Sequence, residues 1–228
     1  MQQPLPVIRG NQRGLLLGKT SSGKSFFARQ LLKMFRAKGW RIVIVDPKKD
    51  WQGRGKEKKP LAKKPENSTV DSPYLTRVFR PDVPVQLFQP VEWDDSCDAF
   101  CAKIMEVGNT IIYFDEITQL VDATRVPMRF KILWTQGRSI NVGAWCGTQR
   151  PLGIPLVVKD QAELWFIFRI ANREDRKVVD GYIPTDETPQ LVDQALPYRY
   201  FWFYSDVLDK PILYKPLTLK GKATHASA

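Results

Sequence analysis

The sequence predicts an α/β fold in which a mostly parallel central sheet is flanked by helices on both faces. Three observations support this class. Short aliphatic or β-branched runs alternate along the chain with segments of helical periodicity. The runs are apolar throughout, as in strands that are buried on both faces of a parallel sheet. The first run continues through a glycine-containing loop into a helix, which is the opening of a βαβ unit.

In the first half of the chain, strands are predicted where such runs stop at a turn residue. These runs occupy residues 14–17, 40–47, 74–80 and 85–88. The second run ends at Asp46-Pro47, because proline cannot continue a central strand. Residues 25–38 carry apolar side chains on one helical face. A second helix begins at Asp94–Ser96, where carboxylates suit the positive end of the helix dipole, and continues to about Val107.

In the second half, strands are predicted at residues 110–114, 141–146, 164–170 and 198–204. Helices are predicted at residues 128–137 and 172–182, the latter ending at Gly181. The chain, residues 1–228, is interpreted as one domain with a basic mobile loop at 52–67. Its small, polar tail at 221–228 is predicted to be disordered.

Composition indicates a soluble globular protein. The 228 residues are 43% hydrophobic and 26% charged, which allows a substantial core. The sequence lacks the run of ~20 apolar residues that crosses a bilayer and the basic, apolar start of a signal peptide. We therefore expect an intracellular protein with no transmembrane segment of its own. Cys97, Cys101 and Cys146, an odd number without a secretion signal, are expected to be reduced thiols.

The positive charge is unevenly distributed. The formal net charge is +11, and between Lys48 and Lys64 eight Lys or Arg side chains accompany two carboxylates. This basic segment therefore carries more than half of the net charge. Its functional interpretation is a loop that tracks DNA through phosphate contacts. The alternative is a solvated charge run that only keeps the protein soluble.

Residues 18–25 read Gly-Lys-Thr-Ser-Ser-Gly-Lys-Ser, a complete G-x-x-x-x-G-K-[ST] phosphate-binding loop. Its glycines let the backbone curl so that N–H groups point at phosphate oxygens. Lys24 can reach the β- and γ-phosphates, and the Ser25 hydroxyl can ligate Mg²⁺. The predicted nucleotide-binding residues are those of the loop: Gly18, Lys19, Thr20, Ser21, Ser22, Gly23, Lys24 and Ser25. The predicted cofactors are ATP and Mg²⁺.

Two further motifs follow predicted strands. The apolar run before Asp115 and Glu116 forms a Walker B pattern, in which Asp115 supports Mg²⁺. Glu116 is placed to activate the attacking water, which favours an ATPase over a kinase. Gln149, within Gly147-Thr148-Gln149-Arg150-Pro151, is the candidate sensor of the γ-phosphate. The alternative for this last motif is a turn with local capping residues.

These motifs together resemble the FtsK/HerA superfamily of DNA-pumping ATPases. They are the phosphate loop, Val45-Asp46-Pro47-Lys48, Phe114-Asp115-Glu116 and the Gly-Thr-Gln-Arg-Pro stretch. Residues 137–143 and 168–176 are also similar to that superfamily, so the resemblance covers about residues 14–204. In size and motifs the chain is most similar to the genome-packaging ATPases of membrane-containing icosahedral viruses. The basic insert at 52–67 departs from the family pattern.

The resemblance implies a P-loop NTPase fold of the RecA-like (ASCE) type and a homo-oligomeric ring, usually a hexamer. Such a ring threads double-stranded DNA through its pore without sequence preference. Capsid or membrane-vertex proteins would be further partners, and the protein would work in the host cytoplasm or at a virion vertex. A ring motor also needs an arginine from the neighbouring subunit at the γ-phosphate. The candidates are Arg138, Arg150, Arg173 and Arg176, of which Arg138 is favoured because it follows the helix after Walker B.

Other functions remain open at this stage. A conjugation-coupling or filamentous-phage-assembly ATPase would usually carry a membrane anchor, and a HerA-type DNA-processing ATPase would usually carry extra domains. A GTPase should show an Asn-Lys-x-Asp motif, which the sequence lacks, and a kinase should lack Glu116. A nucleic-acid-binding protein that does not hydrolyse ATP is a further alternative. Trp51, beside the basic segment, is interpreted as a cover for adenine or a contact to DNA.

Overall fold

The computed structural model describes residues 5–52, 60–183 and 196–216. Within them, the strands are β1 (Gly14–Leu17), β2 (Arg41–Val45), β3 (Tyr74–Thr76), β4 (Val85–Phe88), β5 (Thr110–Asp115), β6 (Val142–Thr148), β7 (Leu164–Ile167), β8 (Phe201–Ser205) and β9 (Ile212–Tyr214). The helices are α1 (Lys24–Ala37), α2 (Asp95–Val107), α3 (Met128–Gln136), α4 (Leu156–Gln161) and α5 (Arg173–Asp180).

All nine described strands form one sheet in the order β3-β4-β2-β5-β6-β1-β7-β8-β9. Strands β1 to β7 pair in parallel, whereas β8 is antiparallel to both β7 and β9. The predicted α/β class with a mostly parallel sheet is confirmed, and the fold is that of a P-loop NTPase. Since β6 lies between β1 and β5, three strand ends meet beside the phosphate loop.

Alternation along the strands divides the core into two layers. Leu15 and Leu17 of β1 face one side, where the apolar residues of α2 and α3 pack. Leu16 faces the other side and joins Phe27 and Phe35 of α1. Because side chains of successive strand residues point to opposite faces, one aliphatic run supplies both layers. This two-sided burial explains why the strand sequences are apolar throughout.

Trp51 belongs to the core, so its interpretation as an adenine cover or a DNA contact is wrong. The side chain is only 1% exposed. Its indole N–H donates to the carbonyl of Val70 at 3.2 Å, and the guanidinium of Arg29 lies 4.0 Å from the ring centre. Its backbone N–H donates to a carboxylate oxygen of the buried Asp46 at 2.8 Å. Asp46 and Trp51 therefore fix the turn that follows β2.

Other differences from prediction have local causes. The run at 164–170 stops as a strand at Ile167, because the next residues pair with the phosphate loop. Phe168 N–H donates to the carbonyl of Leu17 at 2.8 Å, and the carbonyl of Arg169 accepts from Lys19 N–H at 2.9 Å. The runs at 74–80 and 198–204 form only the shorter strands β3 and β8. The short α4 and β9 were not predicted, since three to six residues carry too little periodicity.

Two predicted features lie partly or wholly outside the described residues. Of the basic loop at 52–67, residues 53–59 are not described, and Pro65–Asn67 form a 3₁₀ turn. The predicted tail at 221–228 is likewise outside them. Within the described part of the chain, each helix is too short or too polar to span a membrane.

Candidate active site

The carboxyl ends of β1, β5 and β6 meet at one edge of the sheet. Leu17 of β1 is in register with Thr148 of β6, and Asp115 of β5 is in register with Gly147. Because the three strands are parallel neighbours, the residues that follow them are brought together. The phosphate loop, the two carboxylates and Gln149 therefore form one cluster.

The phosphate loop has the conformation that its glycines allow. Gly18 N–H donates to the carbonyl of Thr148 at 3.1 Å, which ties the start of the loop to β6. Gly23 has φ 103°, in the left-handed region that favours glycine, and α1 begins at Lys24. The unpaired N–H groups and positive dipole end of this 14-residue helix face the loop. This arrangement is suited to binding phosphate.

Lys24 and Asp115 are buried beside each other. Lys24 Nζ lies 3.8 Å from Asp115 Oδ1, and the Tyr113 hydroxyl donates to the same oxygen at 3.4 Å. Burial raises the pKa of Asp115, and the charge of Lys24 opposes that shift. A Cβ on Gly147 would lie 2.4 Å from the Tyr113 hydroxyl oxygen and 3.2 Å from Lys24 Nζ. Glycine at position 147 is therefore what leaves room for this cluster.

The donor set fits Mg²⁺ bound together with a nucleotide. Ser25 is exposed at the start of α1, and the Asp115 carboxylate lies beside the same loop. The described residues contain no group of three His, Cys, Asp or Glu side chains that could hold a metal alone. Mg²⁺ is usually held by one or two protein oxygens plus substrate phosphates. Ser25 and Asp115 match that pattern.

Glu116 is held in place by four groups. Thr148 Oγ1 donates to its Oε1 at 2.5 Å and Thr118 Oγ1 donates to the same oxygen at 2.9 Å. The N–H of Gln149 donates to Oε1 at 3.2 Å, and Lys48 Nζ lies 3.5 Å from Oε2. The backbone of Glu116 has φ 69°, an uncommon conformation for a residue other than glycine. Such strain is often stored at functional sites.

The pKa values of the two adjacent carboxylates are shifted in opposite directions. Burial acts to raise the pKa of Glu116, but the Thr148 hydrogen bond and the charges of Lys24 and Lys48 outweigh it. The pKa of Glu116 is therefore lowered, whereas that of Asp115 is raised by burial. Glu116 is consequently an ionised carboxylate near neutral pH, and the charge of Lys24 favours the ionised form of Asp115 against the effect of burial.

Gln149 reaches back to the phosphate loop. Its Oε1 accepts a hydrogen bond from Thr20 Oγ1 at 2.7 Å. The turn that follows is anchored by Asp175 of α5, which is 1% exposed. Asp175 accepts from Leu152 N–H at 2.9 Å and pairs with Arg150 Nε at 3.0 Å. The position of Gln149 is thus fixed from both sides.

The structure does not bring Arg138 to this cluster. Arg138 lies in the 3₁₀ turn Gly137–Ile140 before β6, at the amino edge of the sheet. Its guanidinium pairs with Glu163 at 3.0 Å. Arg150, by contrast, directly follows Gln149, and Arg173 opens α5 in an exposed position. Arg176 Nε donates to the carbonyl of Ile170 at 3.3 Å.

Several residues that support the cluster were not predicted as site residues. Among them are Lys48, Thr118 and Thr148, which contact Glu116, and Asp175, which anchors the turn after Gln149. Lys48, Thr148 and Asp175 lie inside stretches that carry the family resemblance, so a residue-by-residue reading of those motifs could have found them. Thr118 follows Glu116 without any motif, and its contact depends on the left-handed turn at Glu116.

Comparison with known proteins gives the following relationships. The chain matches no family model. It is 27% identical over 183 residues to the DNA packaging ATPase P9 of Enterobacteria phage PRD1, an alignment that covers 77% of this chain and 71% of P9. The fold is similar to that of the genome packaging NTPase B204 from Sulfolobus turreted icosahedral virus 2 in complex with AMP. That match has a TM-score of 0.71 and 17% identity, and covers 92% of this chain and 100% of B204. The pCW3 conjugation coupling protein TcpA, with ATPγS, matches with a TM-score of 0.61 and 16% identity, covering 92% of this chain and 62% of TcpA.

Proposed function

We propose that this chain, a homologue of the phage PRD1 packaging ATPase P9, is an ATP-hydrolysing translocase that pumps double-stranded DNA into a viral capsid. The observation that carries the proposal is the position of Glu116. This ionised carboxylate directly follows the Walker B strand, accepts from the N–H of Gln149 and lies beside a complete phosphate loop. The sequence relationship to P9 and the fold of B204 favour genome packaging over conjugation. We take the chain as one motor domain, to which the basic insert at 52–67 and the tail at 221–228 belong.

Each site residue has a defined part in hydrolysis. The loop 18–25 cradles the phosphates with its N–H groups, and Lys24 neutralises the β- and γ-phosphates. Mg²⁺, held by Ser25 and supported by Asp115, would supply further positive charge to the phosphates. Gln149, which accepts a hydrogen bond from Thr20, orients the attacking water. Glu116 accepts the proton of that water. B204 has been solved in complex with AMP, AMPPCP and ATPγS, which supports the proposal that this chain binds a nucleotide.

A homo-oligomeric ring would complete the site, because the neighbouring subunit would supply an arginine to it. We assign the arginine finger to Arg138, because it lies at the amino edge of the sheet, away from the phosphate loop of its own subunit. In a head-to-tail ring, different surfaces of neighbouring subunits meet, so such an edge can face the neighbour's carboxyl edge. The guanidinium then stabilises charge on the leaving γ-phosphate. The proposed ring is a hexamer, and Arg150, Arg173 and Arg176 are the alternatives for the finger.

Double-stranded DNA is the proposed track. The net charge of +11 favours a polyanion, and much of it lies in the basic segment between Lys48 and Lys64. Contacts to the phosphate backbone carry little sequence information and weaken steeply with salt. We therefore expect binding without sequence preference, at a virion vertex or in the host cytoplasm, with capsid or vertex proteins as docking partners.

The test is DNA-stimulated ATP hydrolysis by the purified chain. Glu116→Gln should still bind ATP but lose hydrolysis by a factor on the order of 10²–10⁴, the usual contribution of a general base. Glu106→Gln, an exposed glutamate on α2, is the matched control and should hydrolyse ATP like the wild type. A wild-type protein that does not hydrolyse ATP with duplex DNA present would rule the proposal out.

A further inference from the structure

We propose that Phe26, Arg199 and Tyr198 form a platform on which the base of the bound nucleoside triphosphate stacks. The proposal rests on the proposed function, because it assigns the nucleoside end of the same site. It gives a role to residues 196–200, which cover the phosphate loop from the side opposite the catalytic carboxylates. The preferred ligand is a purine, whose two fused rings offer the larger stacking area.

The order of the strands determines the direction of the nucleotide. Glu116 and Gln149 follow β5 and β6, on one side of β1 and its phosphate loop. The γ-phosphate must therefore point towards that side. The sugar and base lie at the opposite end of the triphosphate and must extend towards the side of β7 and β8. On that side, Phe168 pairs with the end of β1, Arg169 pairs with the loop, and Tyr198 to Tyr200 precede β8.

The guanidinium of Arg199 contacts both aromatic rings beside the start of α1. The guanidinium of Arg199 lies 3.8 Å from the centre of the Phe26 ring and 4.8 Å from that of the Tyr198 ring. Phe26 immediately follows Ser25 of the phosphate loop. Tyr198 is 57% exposed, so much of its ring is open to a ligand. A cation in contact with two aromatic rings helps to hold both in place, and the exposed Tyr198 ring remains available to a ligand.

The segment is also fixed to the loop through its backbone. Arg199 N–H donates to the carbonyl of Ser22 at 2.9 Å. A Cβ on Gly23 would lie 2.7 Å from Arg199 Cγ and 2.9 Å from its Cα, so glycine at 23 allows this close approach. Arg199 itself has φ 66°, a conformation that costs energy in a residue other than glycine. The fold thus tolerates strain to keep Arg199 against the phosphate loop.

Stacking recognises any base by its π-face, so the platform predicts affinity for the nucleoside without strict choice of base. Removing one aromatic stacking partner typically costs a bound base about tenfold or more in affinity. The same removal should leave a ligand that has only phosphates unaffected. This difference separates a base platform from a segment that merely supports the phosphate loop.

The experiment compares ATP with inorganic triphosphate by calorimetry on the full chain. Tyr198→Ala should lower the affinity for ATP by about tenfold and leave the affinity for inorganic triphosphate unchanged. Tyr198→Phe should bind ATP like the wild type. Arg199→Gly, which relieves the positive φ while removing the guanidinium, should show the same selective loss. Tyr74→Ala, a partly exposed tyrosine on the distant edge strand β3, is the control and should change neither affinity.

The outcomes distinguish the two proposals. If the wild type binds neither ATP nor inorganic triphosphate, the nucleotide site itself is wrong. If the wild type binds both, and Tyr198→Ala and Arg199→Gly alter both equally or not at all, the platform is overturned while the proposed function stands. Weaker CTP than ATP binding in the wild type, with the difference reduced in Tyr198→Ala, would further support a purine-favouring stack.

Discussion

Replacing Thr148 with valine tests how Glu116 is kept ionised. Valine has nearly the same shape as threonine and suits a strand, so the change removes only the hydroxyl. That hydroxyl is fully buried, donates to Glu116 Oε1 at 2.5 Å and accepts from Arg150 N–H at 3.0 Å. The variant therefore loses one hydrogen bond to a charge and leaves one backbone donor without its acceptor.

The expected cost is worked from the hydrogen bond to Glu116. A hydrogen bond to a charged group contributes about 1.5–3 kcal/mol, and Glu116 is only 5% exposed, so water replaces the bond poorly. We expect a loss of about 2 kcal/mol in the free energy of unfolding near neutral pH. For a chain of this size, that corresponds to a fall in Tm of roughly 4–8 °C.

The cost must also depend on pH. The pKa of folded Glu116 lies below its ordinary value of 4.5, so its ionised form stabilises the fold above pH 4.5. That contribution is lost as pH falls through the lowered pKa. Without the Thr148 hydrogen bond the folded pKa rises, and the variant has less to lose on acidification. The difference in stability between wild type and variant should therefore be greatest at neutral pH and shrink below pH 4.5.

Urea unfolding across this pH range measures both quantities. Thr110→Val is the matched control, because Thr110 is also fully buried on a strand, but its hydroxyl donates to the neutral carbonyl of Gly108 at 2.8 Å. The cost of the control variant should not follow the titration of Glu116. If the cost of Thr148→Val is equally independent of pH, Thr148 acts through packing and the reasoning about charge is wrong.

Three further variants test other contacts of the site. Lys48→Met removes a charge that lowers the pKa of Glu116, so the acid limb of the pH–rate profile for ATP hydrolysis should move to higher pH. An unchanged limb would mean that Lys48 does not act on this carboxylate. Asp175→Ala removes the acceptor of Leu152 N–H and should destabilise the chain by about 1–3 kcal/mol in urea unfolding. The exposed Glu174→Ala should stay within about 0.5 kcal/mol of wild type, and equal effects of the two would contradict an anchoring role. Gly147→Ala should abolish ATP binding in calorimetry, because the new methyl group would displace Tyr113 and Lys24. Gly181→Ala, whose Cβ would meet nothing closer than 3.6 Å, should bind normally, and retained binding by Gly147→Ala would show that the cluster tolerates displacement.

The sequence was sufficient to predict the class of fold and the main motifs because both depend on local patterns. An apolar run that ends in Asp115-Glu116 must leave the sheet at its carboxyl edge, and a glycine loop followed by a helix must start there too. Once β1, β5 and β6 are neighbours, the predicted phosphate loop, Asp115, Glu116 and Gln149 come together without further information.

Tertiary contacts decided what the sequence could not predict. Trp51 follows a turn and precedes a basic stretch, which indicates exposure. Its contacts with the buried Asp46 and with the guanidinium of Arg29 instead hold it in the core. Tyr198 and Arg199 were assigned to a strand from their aromatic neighbours, whereas a hydrogen bond to Ser22 holds them in a turn at the phosphate loop. Ser22 is far from Arg199 in sequence, and Arg29 lies outside the local turn that holds Trp51, so neither contact is visible in the local pattern.

The anchoring of Trp51 has a mechanical consequence for a motor. Two residues of one short turn have different partners: Lys48 pairs with the Glu116 carboxylate, and Trp51 contacts Asp46, Arg29 and Val70. The basic segment continues from this turn. If DNA moved along that segment, the force on it would be transmitted to the turn from Asp46 to Trp51. The same turn carries Lys48, which pairs with Glu116. The buried contacts of Trp51 would thus couple movement of the basic segment to the position of Lys48 beside Glu116.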